Sequence, residues 1–139
     1  VEDISLHILD VAENSITAGS SRIEITVVED TARDLLTLII SDNGAGMDPE
    51  MSKNALDPFY TTKQGKRIGL GIPLLAQAAR ESGGGISIES NKDSGTTITA
   101  RFKLRHPDRK PLGDIEKTLY LLRVTHPEIV IVFRHDKDS

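Results

Sequence analysis

Between residues 3 and 18 the polar side chains Asp3, His7, Asp10, Asn14 and Thr17 recur at spacings of four, three, four and three. Those intervals put all five on one face of a helix. Ile4, Leu6, Ile8, Leu9, Val11, Ala12 and Ile16 cover most of the remaining circumference. The helix is therefore expected to be buried on more than one side, with a single polar strip left over, and Gly19 is its expected stop. A chain that opens this way must supply enough other structure to wrap its first helix.

The rest of the chain supplies it. Residues 22–29 alternate, with Ile23, Ile25 and Val27 on one face, and 35–40 form a fuller apolar run. The charged stretch 29–34 between them predicts a hairpin. Asp42-Asn43-Gly44-Ala45-Gly46 is a turn-forming loop directly after the second strand. A short helix is expected over 48–55, with Asp48 as cap and Pro49 in the first turn. Residues 58–67 are irregular and hold the basic Lys63, Lys66 and Arg67. Gly69-Leu70-Gly71 leads into a helix over 72–81, ended by glycines 83–85. Strands 86–90 and 96–104 form a second hairpin turned at 91–95. Residues 106–111 read as a linker, followed by a helix over 112–124 and a strand over 129–133. Hairpins set beside helices, without regular βαβ alternation, predict an α+β fold with helices packed on one sheet face.

Composition narrows the setting. With 139 residues the chain fits one domain, and with aromatics at 4% its core must be built from Leu, Ile and Val. There is no Cys, which excludes disulfides and thiolate metal sites and fits a cytoplasmic location. No apolar run approaches the roughly 20 residues that span a bilayer, so no membrane segment is expected. The net charge of −4 divides into −7 over residues 1–100 and +3 over 101–139. That tail is too weakly basic to predict nucleic-acid binding.

Three groups of residues carry possible chemistry. Asp42, at a strand end and followed by glycines, puts a strong acceptor beside backbone that a ligand can approach closely. It could take a hydrogen bond from an exocyclic amine such as that of adenine, and it is equally an ordinary Asx turn. Gly69-Leu70-Gly71 before a helix offers free N–H groups and the positive end of a helix dipole, both suited to phosphate. It is neither a Rossmann fingerprint, since position 74 is Leu, nor a P-loop, since Gly65-Lys66 is followed by Arg67. Asp10 and Asn14 lie one turn apart on the polar strip. An amide oxygen can ligate a hard divalent ion that also holds phosphates, and a carboxylate one turn earlier could orient or deprotonate a nucleophile. The plainer reading is a solvated helix face, and His7 on the same strip reads as surface or packing.

Taken in order, these groups resemble the boxes of the GHKL ATPases over about residues 3–104. Glu13-Asn14-Ser15 with Ala18-Gly19 is similar to the N-box, and Asp42-Asn43-Gly44-Ala45-Gly46-Met47 to the first glycine box. Asp57-Pro58-Phe59-Tyr60-Thr61-Thr62-Lys63 resembles the histidine-kinase F-box with its short lid. Gly69-Leu70-Gly71-Ile72 is similar to the second glycine box, and Gly95-Thr96-Thr97 to the closing Gly-Thr element. The resemblance implies the two-layer α/β sandwich of the Bergerat (GHKL) ATP-binding fold, with a mixed, mainly antiparallel sheet and helices on one face. It divides the chain into an ATP-binding domain at 1–105 and a helix–strand extension at 106–139 packed on the same domain.

The resemblance also implies ATP and Mg²⁺ as cofactors. Asn14 would ligate Mg²⁺, Asp42 would bind the adenine amino group, and Thr97 or Thr96 would assist through water. Gly44 and Gly46 with Met47 would shape the adenine pocket, while Gly69 and Gly71, with Leu70 and Ile72 beside them, would meet the phosphates. Phe59 and Thr62 belong to the lid box, and Lys63, Lys66 and Arg67 could each bring a cation to the β- or γ-phosphate. Asp10 stands where related kinases and mismatch-repair ATPases carry a Glu base, one methylene shorter. The lid reads Arg67-Ile68-Gly69 where short-lid kinases read Gly-Thr-Gly. None of His7, His106, His126 or His135 has the context of a phosphoacceptor box, so less than a complete sensor kinase is expected. The implied function is histidine-kinase-like transfer or hydrolysis of the γ-phosphate, acting on a protein partner or a separate phosphoacceptor domain. The alternatives are an anti-sigma-like Ser/Thr kinase and a nucleotide-gated switch with little turnover.

Overall fold

A computed structural model describes residues 3–56 and 71–137. The element order is α1 (Ile4–Thr17), β1 (Arg22–Asp30), β2 (Leu35–Asp42), α2 (Pro49–Asn54), α3 (Gly71–Glu81), β3 (Gly85–Ser90), β4 (Thr96–Lys103), α4 (Ile115–Thr125) and β5 (Val130–Lys137). The strands form one sheet in the order β3-β4-β2-β1-β5. Every neighbouring pair is antiparallel except β1 with β5, which run parallel. This is the α+β, mixed and mainly antiparallel architecture expected from the sequence.

Strand periodicity explains why the helices take one face. Ile23, Ile25 and Val27 of β1, Leu36, Leu38 and Ile40 of β2, and Ile98, Ala100 and Phe102 of β4 are all buried and point to one side. Onto them pack Ile4, Ile8, Val11 and Ala12 of α1, Leu75, Ala78 and Ala79 of α3, and Leu119 and Leu122 of α4. The opposite face carries Thr26, Thr37, Ile39, Thr97 and Thr99, none of them fully buried.

α1 begins where Asp3 caps it, its carboxylate accepting from the Leu6 N–H at 3.1 Å. His7 is 3% exposed and sits in packing, so the polar strip of α1 faces neighbouring elements as much as solvent. α2 is capped by Asp48, which accepts from the Met51 N–H at 2.8 Å.

The stretch 106–111, expected as a linker, is instead fastened to the domain. Arg109 donates from Nε to the Leu104 carbonyl at 2.6 Å, and the carbonyls of Pro111 and Leu112 accept from the Ile4 and Ser5 N–H groups at 2.8 and 2.9 Å. Those two bonds satisfy donors that a helix start leaves open. α4 therefore starts later than the apolar pattern indicated: Gly113 turns at φ 77° and Asp114 caps the helix. β5 is longer than expected, because Arg134 to Lys137 pair through backbone with Thr26 to Glu29 and need no apolar side chains to do so. Leu122, fully buried between α4 and the core, gives a direct measure of that packing. Leu122→Ala is expected to lower stability by about 3 kcal/mol in urea denaturation, from lost burial and the cavity left behind.

Candidate nucleotide site

The sheet places the first functional group. Asp42 ends β2 on the helix-facing side, one residue pair beyond Ile40, and lies opposite Thr96 of β4. Thr96 in turn pairs with Ser90 of β3. Asp42, Thr96 and Ser90 thus form one polar rung across three strands, at the rim of an otherwise apolar face. Above the rung runs the C-terminal half of α1.

Asp42 is held at both carboxylate oxygens. Ser15 donates its hydroxyl to Oδ2 at 2.6 Å, and the Gly44 N–H donates to Oδ1 at 2.9 Å. The remaining lone pairs are left to accept from elsewhere. Ser15 is buried, so the bond that orients Asp42 is shielded from water and correspondingly firm.

Two glycine loops interlock beside it. A Cβ on Gly46 would stand 2.0 Å from the Asn91 carbonyl oxygen, and one on Gly95 would stand 2.1 Å from the Asp42 carbonyl oxygen. Both residues have positive φ, 72° and 88°, which glycine adopts without strain. The contact is completed by Ser90, whose hydroxyl accepts from the Met47 N–H at 2.8 Å and lies 2.8 Å from Thr96 Oγ1. Asn43 ties the same loop to the start of β1, accepting from the Ser21 and Arg22 N–H groups at 2.9 and 3.0 Å. Gly44 is buried, and a side chain there would meet Ser20 Oγ at 2.6 Å.

Between α1, the sheet rim and these loops lies a cavity of about 320 Å³. Val11, Met47, Met51, Ile72 and Ile98 form its apolar walls, and Asn14, Asp42 and Thr96 are its converging polar groups. An apolar slot with a few placed acceptors is the usual form of a small-molecule site. A wider cleft of about 650 Å³ over Glu81 and residues 107–111 lacks that form and holds none of the residues singled out from the sequence.

Of those residues, Asn14, Asp42, Gly46, Met47, Ile72 and Thr96 line the cavity. Thr97 does not. Strand alternation turns it to the opposite sheet face, where its hydroxyl lies 2.9 Å from Ser41 Oγ, so only Thr96 of the pair is available to a ligand. Asp10 is exposed, one turn from Asn14, and the start of α3 presses against it: a Cβ on Gly71 would lie 2.8 Å from the Asp10 Cβ. The N-terminus of α3 therefore meets α1 between the cavity and the exposed turn. Phe59, Thr62, Lys63, Lys66, Arg67, Gly69 and Leu70 lie outside the described residues. Ser15, Ser90, Val11, Met51 and Ile98 belong to the site without having been singled out. Ser15 stood beside Asn14 in the sequence, but a neighbour on a helix points about 100° away, and only the sheet shows what it faces.

Fold and cavity together define a two-layer α/β domain with an apolar, acceptor-lined pocket at the sheet rim. The chain belongs to the histidine kinase-, DNA gyrase B- and HSP90-like ATPase family, whose model matches residues 2–106. Among curated relatives it is 30% identical over 111 residues to an NtrY-like sensor histidine kinase of Rickettsia conorii, covering 79% of this chain and 18% of that protein. It is also 30% identical to the histidine protein kinase SaeS of Staphylococcus aureus, covering 71% of this chain and 29% of that protein. The chain thus spans less than a third of the length of these relatives. Among solved structures, the MutL ATPase domain of Aquifex aeolicus, complexed with ADP, superposes with a TM-score of 0.59 at 17% identity. The match covers 99% of this chain and 61% of that one, and it shows the shared fold. No helix among the described residues is long and apolar enough to cross a membrane.

Proposed function

We propose that this chain binds ATP together with Mg²⁺ and delivers the γ-phosphate in histidine-kinase-like fashion to an acceptor on a partner protein or another domain. The observation that carries the reading is Asp42, held by Ser15 and Gly44 at the end of an apolar slot of about 320 Å³. A purine fits such a slot edge-on, its exocyclic amine donating to the carboxylate and its faces against Met47, Ile72 and Ile98. Gly44 acts from behind, through its N–H on Asp42, Gly46 lines the cavity, and Thr96 lies beside Asp42 to hold a bridging water.

The phosphates would lead out past Asn14 toward the start of α3, where Gly71 opens the helix and the dipole favours negative charge. Asn14 fits a divalent ion through its amide oxygen. In this reading the ion arrives with the nucleotide, held by the phosphates as well as by Asn14. Such an ion would neutralise charge on the phosphate oxygens. Asp10, exposed beside the start of α3, would orient or deprotonate an incoming acceptor.

Calorimetric titration with ATP, with and without Mg²⁺, tests the proposal. Binding that strengthens with Mg²⁺ and loses that dependence in Asn14→Ala is the expected result; no measurable binding under either condition overturns it. Ser15→Ala should weaken ATP roughly tenfold or more, because a shielded hydrogen bond to a charged group contributes about 1.5–3 kcal/mol and its loss frees Asp42 from its orientation.

A further inference from the structure

Ser90 of β3 pairs with Thr96 of β4, and of the two it is Thr96 that lines the cavity. A serine hydroxyl has one hydrogen to give and two lone pairs to receive with. At Ser90 all three are assigned. The Met47 N–H donates to its Oγ at 2.8 Å, and the Gly95 carbonyl, which can only accept, lies 3.0 Å away. The single Ser90 hydrogen therefore goes to Gly95. The contact of 2.8 Å between Ser90 Oγ and Thr96 Oγ1 then has one polarity left to it: Thr96 donates and Ser90 accepts.

Thr96 has thereby spent its only hydrogen on Ser90, and what it offers a ligand is lone pairs. Asp42, opposite Thr96 across β2 and β4, offers the same. A carboxylate has no hydrogen to give, and those that its oxygens receive come from Ser15 and the Gly44 N–H. The polar edge formed by Asp42 and Thr96 is thus made of acceptors alone. Two backbone groups, the Met47 N–H and the Gly95 carbonyl, fix that polarity through Ser90.

We infer that Ser90 is a positioning residue for base specificity: by holding the Thr96 hydroxyl as an acceptor, it turns the site against 6-oxo purines. The inference rests on the purine reading of the slot proposed above. A 6-amino purine donates from its amine to Asp42. A water on Thr96 gives one hydrogen there and has one left for ring nitrogen N1, an acceptor in adenine. In a 6-oxo purine both positions are reversed, with a carbonyl facing the carboxylate and a hydrogen on N1. Sites whose polar groups are left unmatched in this way reject the analogue. A Thr96 hydroxyl free to rotate would turn its hydrogen to the carbonyl or the water and relieve half of the mismatch; the bond to Ser90 prevents it.

Calorimetric titration of the full chain with ATP or inosine triphosphate, each with Mg²⁺, reads the preference as a ratio of dissociation constants. The unaltered chain should favour ATP. Ser90→Ala should lower that ratio about fivefold, the worth of one hydrogen bond, by favouring inosine triphosphate relative to ATP. Thr96→Val, which keeps the shape and removes the acceptor, should lower it by a similar factor, and Ser90→Ala added to Thr96→Val should lower it no further. A Ser90 that only braced the loops would weaken both nucleotides alike, so an unchanged ratio in Ser90→Ala overturns the inference and leaves the role of Asp42 standing. An unchanged ratio in Thr96→Val overturns it too, and does not depend on the serine variant folding. Equal binding of the two nucleotides by the unaltered chain would overturn both this inference and the reading of Asp42.

Discussion

Asp42→Asn is expected to lower ATP affinity on the order of 100-fold or more while leaving the fold intact. The substitution keeps size and shape, so one amide oxygen can still accept from the Gly44 N–H, and the new Nδ2 can donate to Ser15 Oγ, reversing the bond now 2.6 Å long. What disappears is the charged acceptor facing the cavity. A hydrogen bond to a charged group contributes about 1.5–3 kcal/mol, and an amide nitrogen opposed to an incoming amine adds the penalty of an unmet buried donor. Calorimetry on the variant reads the loss, and an unchanged far-UV spectrum and melting temperature establish that the fold persists. Undiminished affinity would rule out Asp42 as the base-recognising group.

The second large effect falls on stability. Gly95→Ala is expected to destabilise the chain by about 3 kcal/mol or more, roughly 10 °C in melting temperature. Two costs combine there. Residue 95 has φ 88°, which a side chain disfavours by about 1–2 kcal/mol, and a Cβ would sit 2.1 Å from the Asp42 carbonyl oxygen. Gly19 separates the two: its φ is 84°, yet a Cβ there meets nothing within 4 Å. Gly19→Ala should therefore show the backbone cost alone, about 1 kcal/mol, and the difference between the variants measures how tightly the two glycine loops interlock. Equal melting temperatures for both variants would mean that the loops yield freely.

Much of this molecule is legible from local pattern. The alternation of Ile23, Ile25 and Val27 and the cap Asp48 lie within a few residues of the structure they produce, so those strands and that helix start emerge close to where they are read, whereas Asp3, read as part of the first helix's polar strip, is its cap. Asp42, Asn14 and Thr96 are likewise visible as residue types in a recognisable order. Less visible is which side chain of an adjacent pair faces inward. Thr96 and Thr97 are chemically identical, and only the register of β4 against β2 turns one to the cavity and the other to Ser41. Ser15 is silent for a related reason, because its partner lies 27 positions away. The stretch 106–111 looked like a linker because polar, Pro-containing sequence gives no sign of acceptors offered to a distant helix.

The bonds from Ile4 and Ser5 to Pro111 and Leu112, with Arg22 paired to Val130, set a constraint on timing during synthesis. Once α1 has left the ribosome, it cannot receive its terminal acceptors until more than a hundred further residues have been translated. Until then β1 presents an unpaired edge and α1 an uncovered flank. Such late, long-range closure slows folding and prolongs the exposure of aggregation-prone surface. A nascent chain released or stalled before residue 130 would therefore be a client for chaperones, with its vulnerability concentrated in α1 and β1.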